Sequence, residues 1–209
     1  MSRSWFPWLC LALCLFVTRP AGAGIVAIPD ETAWIASLDV VSEVDFEAFT
    51  GPVSNEYPGI VFFPFNGGVP SAVEQFSHSG ANSVFTVAPQ EGGGGWTAEL
   101  DVPVRGFSLW TGDVEFNGTI ITFYDSASNL LGSFDLLETG AGNGPLVYGF
   151  CGFMSDAADI ARVELTIDSA DAVWCDDVRF GLGETAGISS GGGFLTQNWG
   201  GLKRRFHTR

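Results

Sequence analysis

The stretch that decides the fold is Phe116-Asn-Gly-Thr-Ile-Ile-Thr-Phe-Tyr124, then Asp125-Ser-Ala-Ser-Asn129, then Leu130-Leu-Gly-Ser-Phe-Asp-Leu-Leu137. Two short apolar runs around a polar five-residue link read as a β-hairpin. The same texture continues in both directions. Residues 96–102 and 104–110 read as strands, preceded by a glycine-rich loop at 90–95 and a strand at 83–87. Residues 59–65 read as a buried apolar strand. Residues 41–49 alternate, with Val44, Phe46 and Ala48 on one side and Asp45, Glu47 and Phe49 on the other. Toward the C-terminus, residues 146–154, 162–167 and 172–180 complete the set. The helical signals are residues 32–38, with Asp30 as N-cap and Trp34, Ile35 and Leu38 at helical spacing, and a short helical or 3₁₀ turn at 156–161. About ten short strands and almost no helix predict an all-β fold, an antiparallel two-sheet jelly-roll-like sandwich with one short N-terminal helix. Parallel α/β folds are excluded because no crossover helices separate the strands.

Composition agrees. The chain has 209 residues, of which 18 are Phe, 28 are Gly and only 16% are charged. Disordered chains are poor in aromatics and rich in charge, and coiled coils need far more Ala, Glu, Lys and Leu. Formal net charge is −15, and the basic residues sit mostly at the two ends. Only Arg105, Arg162 and Arg179 fall within residues 24–202, against all 24 acids, or about −21. Such a surface repels phosphate backbones and anionic lipid, so nucleic acid and membrane surfaces are excluded as partners. Most carboxylates lack a cationic partner; they are solvated, protonated, or bound to a hard cation such as Ca²⁺.

The N-terminus reads as a secretory signal. Arg3 precedes an apolar run of 13 residues, 5–17, too short to span a bilayer, and Ala21-Gly-Ala23 places the cleavage after Ala23. Three parts follow: a signal at 1–23, a sandwich domain at 24–181, and a Gly/Ser-rich linker with a basic tail at 182–209. The mature chain is expected to be secreted, extracellular or in the cell envelope, with no stable membrane insertion. Cys10 and Cys14 leave with the signal. Cys151 and Cys175 remain, either paired or as two buried thiols on neighbouring strands. An oxidising compartment favours the disulfide, which would close a loop of about 25 residues and contribute roughly 3 kcal/mol.

Asp45-Phe46-Glu47 resembles the opening strand of jelly-roll carbohydrate-binding modules, and Asp176-Asp177-Val178-Arg179-Phe180 resembles their closing strand. Tyr57-Pro-Gly-Ile-Val-Phe62, Ile121-Thr-Phe-Tyr-Asp125 and Phe150-Cys-Gly-Phe153 are similar to secreted bacterial sandwich domains of the PEP-CTERM-associated kind. The likeness runs from Asp30 to Gly181. It implies that the first and last strands lie together, with a structural Ca²⁺ held by Glu47 and Asp176 or Asp177. Carboxylates brought together by strand pairing repel, and a divalent ion removes that cost; the alternative is that they cap turn amides or face water. Cys175 stands where the family has an aliphatic residue. Of the sorting tail only the basic Lys203-Arg-Arg205 is present.

Catalytic patterns are incomplete. Glu99-Leu-Asp101 begins the Glu-x-Asp-x-x-Glu strand of sandwich glucanases, but position 104 is Val. Asp113 and Glu115 read as turn or solvent carboxylates, and His78, between two serines, reads as a loop residue. A non-catalytic module binding a polysaccharide or matrix component fits better. Its platform candidate is Trp110, which has the opposite parity to Phe107, Leu109 and Thr111; Trp96, after the glycine run, is the second. Core or rim packing is the alternative for both, and Trp174 reads as core. A glycan-active enzyme with a non-standard carboxylate pair, and a structural or adhesive envelope protein, remain as rival functions.

Overall fold

The computed structural model describes residues 24–48, 50–87, 94–144, 147–168 and 171–183. The signal with its Ala23 cleavage site, and the tail beyond Gly183, lie outside the described residues. Thirteen strands make two antiparallel sheets among the described residues. The larger has eight: β1 (Ile25–Ile28), β2 (Val40–Val44), β3 (Gly51–Pro52), β5 (Ser71–Val73), β6 (Ser83–Val87), β8 (Gly106–Gly112), β11 (Tyr148–Ser155) and β13 (Ala172–Leu182). The smaller has five, in the order β10 (Leu130–Asp135), β9 (Ile120–Tyr124), β12 (Ile160–Ile167), β7 (Gly94–Val104) and β4 (Ile60–Phe65). Helix α1 (Glu31–Ala36) follows β1, and a single turn, α2 (Leu136–Thr139), follows β10.

The sandwich forms because the apolar parity of each strand points inward. Phe107 and Leu109 of β8, and Cys151 and Phe153 of β11, meet Ile121 and Phe123 of β9 and Val163 and Leu165 of β12. Phe123 bridges the layers, its ring 4.8 Å from that of Phe153 and 6.2 Å from that of Phe107. The hairpin β9–β10 turns where the sequence places it. Asp125 Oδ1 accepts the N–H groups of Ala127 and Asn129 at 2.9 and 2.7 Å, the self-capped turn that Asp favours.

The ends of the domain lie side by side: Val44 pairs with Val178 and Val40 with Leu182. The first strand is shorter than its alternation suggests. It stops at Val44, and Phe46 takes a left-handed φ of 56° that turns its ring into the core. Asp30 caps α1, accepting the Ala33 N–H at 2.7 Å. This helix covers part of the outer face of the larger sheet. Trp34, 0% exposed, lies over Gly106 and Gly152, where an added Cβ would come within 3.1 and 2.8 Å of the indole.

The Cys151–Cys175 disulfide is not formed; both thiols are free and buried. Strand β8 lies between them, with Leu109 beside Cys151 and Thr111 beside Cys175. Two strand spacings separate the backbones by about 9.6 Å, beyond the reach of a disulfide. Burial pushes both thiols up to about 12. Reductant is therefore expected to leave the melting temperature unchanged, and peptide mapping to find no Cys151–Cys175 link. A reductant-sensitive transition would contradict this register.

Candidate functional site

Strand β13 changes partner along one edge. Ala172–Cys175 pairs with β6, Val178–Leu182 pairs with β2, and the gap falls at Asp176 and Asp177. The register with β8 also slips between Asp176 and Arg179, and Asp177 adopts φ 43°. A bulge of this kind re-aims side chains, and here it turns two carboxylates toward the loop 77–82 between β5 and β6.

The three acids named as calcium ligands converge on that loop. Asp176 Oδ2 accepts the N–H groups of His78 and Ser79 at 2.7 and 3.0 Å. Asp177 Oδ1 accepts the Ser79 hydroxyl at 2.7 Å, and its Oδ2 lies 2.8 Å from His78 Nδ1. Glu47, from the other side, takes the N–H groups of Ala81 and Asn82 on Oε1 at 2.8 and 2.7 Å. Charge-assisted bonds of this type are short and about twice as strong as neutral ones. Among the described residues no group of three or more His, Cys, Asp or Glu side chains is placed to hold a metal ion. Asp176 Oδ2, Asp177 Oδ1 and Glu47 Oε1 accept loop N–H and O–H groups, so the carboxylates act as a loop latch.

The latch places His78 over Trp110. The two rings stack at 3.7 Å with planes 10° apart, and the imidazole side chain is 31% exposed. Trp110 lies on the outward face, packed edge-on against Phe150, and its Nε1 donates to Glu31 at 3.4 Å. Its indole is half-buried beneath the histidine rather than an open platform. Trp96 does not belong to a site at all: it is 1% exposed, inside the sandwich against Phe62 at 5.6 Å. Its parity with Ala98 and Leu100 sends it inward despite the preceding glycines. Trp174 is buried as expected but on the other face, stacked on Phe85 at 3.9 Å.

Asp176 has no solvent exposure, and burial raises its carboxyl to about 6, helped by neighbouring Asp177 and opposed by the loop N–H groups. A carboxyl raised in the fold binds its proton more tightly there than in the unfolded chain. Its contribution is therefore full below pH ~4 and lost as pH rises through ~6, at most about 3 kcal/mol. Denaturant melts are expected to show greater stability at pH about 5 than at about 7.5, and Asp176→Asn should remove most of that difference. An identical pH profile in the variant would show that other carboxylates carry the effect.

The outer face of the five-stranded sheet is different in kind, and the sequence reading did not single it out. Glu99, Arg162 and Tyr124 face one another across three strands in one row; Thr97, Glu164, Thr122 and Ser133 form the next. The Arg162 guanidinium lies 4.2 Å above the Tyr124 ring, Tyr124 donates to Glu164 Oε2 at 3.1 Å, and Arg162 Nε is 3.4 Å from Glu164 Oε1. Glu99 and Ser133 are exposed, as is Phe63 at the sheet edge. The available signal was the polar parity of residues 162, 164 and 166, opposite to the apolar Val163 and Leu165. It reads equally as a solvated strand face until the sheet order sets it beside Tyr124.

No family model matches the chain, and no curated protein matches it. Among solved structures, a family 29 carbohydrate-binding module from Piromyces equi is similar at 12% identity and a TM-score of 0.46, over 69% of this chain and 91% of that one. The N-terminal tandem of family 22 carbohydrate-binding modules from Paenibacillus barcinonensis Xyn10C is similar at 12% identity and 0.49, over 75% of this chain. This chain spans 48% of the length of that tandem. The K2 cleaved adhesin domain of Lys-gingipain is similar at 11% identity and 0.44, over 68% of this chain and all of that domain (100%). At these identities and scores the likeness carries no functional argument. Among the described residues no helix is long and apolar enough to cross a membrane.

Proposed function

We propose that this domain is a secreted, non-catalytic module that binds glycan chains on the outer face of its five-stranded sheet. The observation that carries the reading is the Arg162–Tyr124–Glu164 cluster, set in the middle of that face. Sugar recognition needs an aromatic ring for the apolar face of a pyranose and planar polar groups for its hydroxyls. Tyr124 offers the first with the part of its ring that the Arg162 guanidinium leaves uncovered; Arg162, Glu99 and Glu164 offer the second, with the hydroxyls of Thr97, Thr122 and Ser133 on the neighbouring row. From β4 to β10 the face spans four strand spacings, about 19 Å, which suits an oligosaccharide rather than a single sugar. Glu164 is engaged by both Tyr124 and Arg162, a use that favours hydrogen bonding over bond cleavage. The apolar N-terminal run and Ala21-Gly-Ala23 support secretion. A glycan array with the purified domain tests the reading: retention of at least one polysaccharide class is expected, and an array with no signal overturns it.

A further inference from the structure

Resting on the glycan reading above, we infer that this face selects uncharged polysaccharide chains and rejects acidic ones, with Glu99 and Glu164 setting the choice. The five strands carry Glu99, Asp101, Asp135 and Glu164 against a single cation, Arg162. That guanidinium lies over Tyr124 and beside Glu164, so its charge is already offset by a carboxylate while its outer N–H groups can still meet sugar hydroxyls. Glu99 is directly opposite Arg162 in the β7–β12 register and Glu164 lies two residues along β12, so carboxylates flank the cation both across and along the strands. A uronate or sulfate laid beside Tyr124 would meet no cation on these strands that is not already next to a carboxylate, with Glu164 bonded to the tyrosine hydroxyl and Glu99 two strands away. A neutral sugar meets the same carboxylates as hydrogen-bond acceptors for its hydroxyls, charge-assisted contacts about twice as strong as neutral ones. The field of the whole domain acts in the same sense, since residues 24–202 hold 24 acids and three arginines.

Affinity electrophoresis of the full chain in gels containing the uncharged polymers galactomannan or glucomannan, and in gels containing polygalacturonate or alginate, reads the choice directly. At low ionic strength the acidic polymers are expected to bind at least about tenfold more weakly than the best neutral one. Glu99→Gln, an exposed change outside the core, should narrow that gap about threefold, and added salt should narrow it in the wild type as the Debye length falls below ~10 Å. Equal or tighter binding of polygalacturonate or alginate overturns the selectivity while leaving the glycan reading intact. So does a gap that responds neither to salt nor to Glu99→Gln. Retention by no polymer in either set, together with an array that gives no signal, removes the glycan reading, and the inference with it.

Discussion

Trp34→Ala is expected to lower stability by about 3–5 kcal/mol, the cost of emptying a large buried aromatic site. In a domain of this size that is a fall of roughly 6–20 °C in melting temperature. Three features make the site unable to collapse. The indole is fully buried, its Nε1 donates to the Phe153 carbonyl at 3.0 Å, and the sheet beneath it is glycine at 106 and 152. Glycine has no side chain to move into the space, so the cavity stays. Trp34 also packs edge-on to Phe150 at 6.1 Å, and Phe150 in turn to Trp110, so the loss spreads to the ring cluster beside the latch. Trp34→Phe keeps most of the packing and loses the hydrogen bond, for about 1 kcal/mol. Gly152→Ala should be damaging for the reciprocal reason, since its Cβ would come within 2.6 Å of the Ile28 carbonyl oxygen. Equilibrium denaturation of the three variants checks this; a Trp34→Ala change below about 1 kcal/mol would mean that α1 does not clamp the sheet.

Tyr124→Ala is expected to weaken binding of the glycan found on the array about 30-fold, or about 2 kcal/mol, the usual weight of a central aromatic contact. The same change should leave the fold intact. Tyr124 is half-buried on the outer face, and its neighbour Phe123, 0% exposed, carries the core packing of β9. Tyr124→Phe separates ring from hydroxyl: it keeps the stacking surface and breaks the bond to Glu164, so a loss of only a few-fold is expected. Trp110→Ala makes the comparison between faces. Because His78 stacks on that indole and Phe150 packs against it, its removal should alter glycan affinity far less than Tyr124→Ala. Isothermal titration of the three variants decides the matter; loss of affinity in Trp110→Ala alone would move the site to the larger sheet.

Much of the architecture was legible because strand parity and caps are local. Asp30 before an apolar helical triplet, Asp125 before a tight link, and Phe107 and Leu109 in alternation each settle a short segment by themselves. The small strands β1, β3 and β5 were missed, since two to four residues hold too little pattern to read. The site was legible only in part. Outward parity placed Trp110 on the solvent side of its strand, and the resemblance brought Glu47, Asp176 and Asp177 near one another. What lies over each of them comes from a loop far away in the chain. His78 is 32 residues before Trp110 and nearly 100 before Asp177, and it carries no signal until β13 changes partner between β6 and β2.

By itself the sequence determined the class of fold, the inward parity of the strands, the capped N-terminal helix and the acidic surface. These follow from alternation, capping and charge, which act over a few residues or over the whole composition. Tertiary structure alone decided that β8 keeps Cys151 from Cys175, that three carboxylates hold a loop, and that Tyr124 and Arg162 share a row. Each of those depends on strand order and register, and identical local patterns are compatible with many orders.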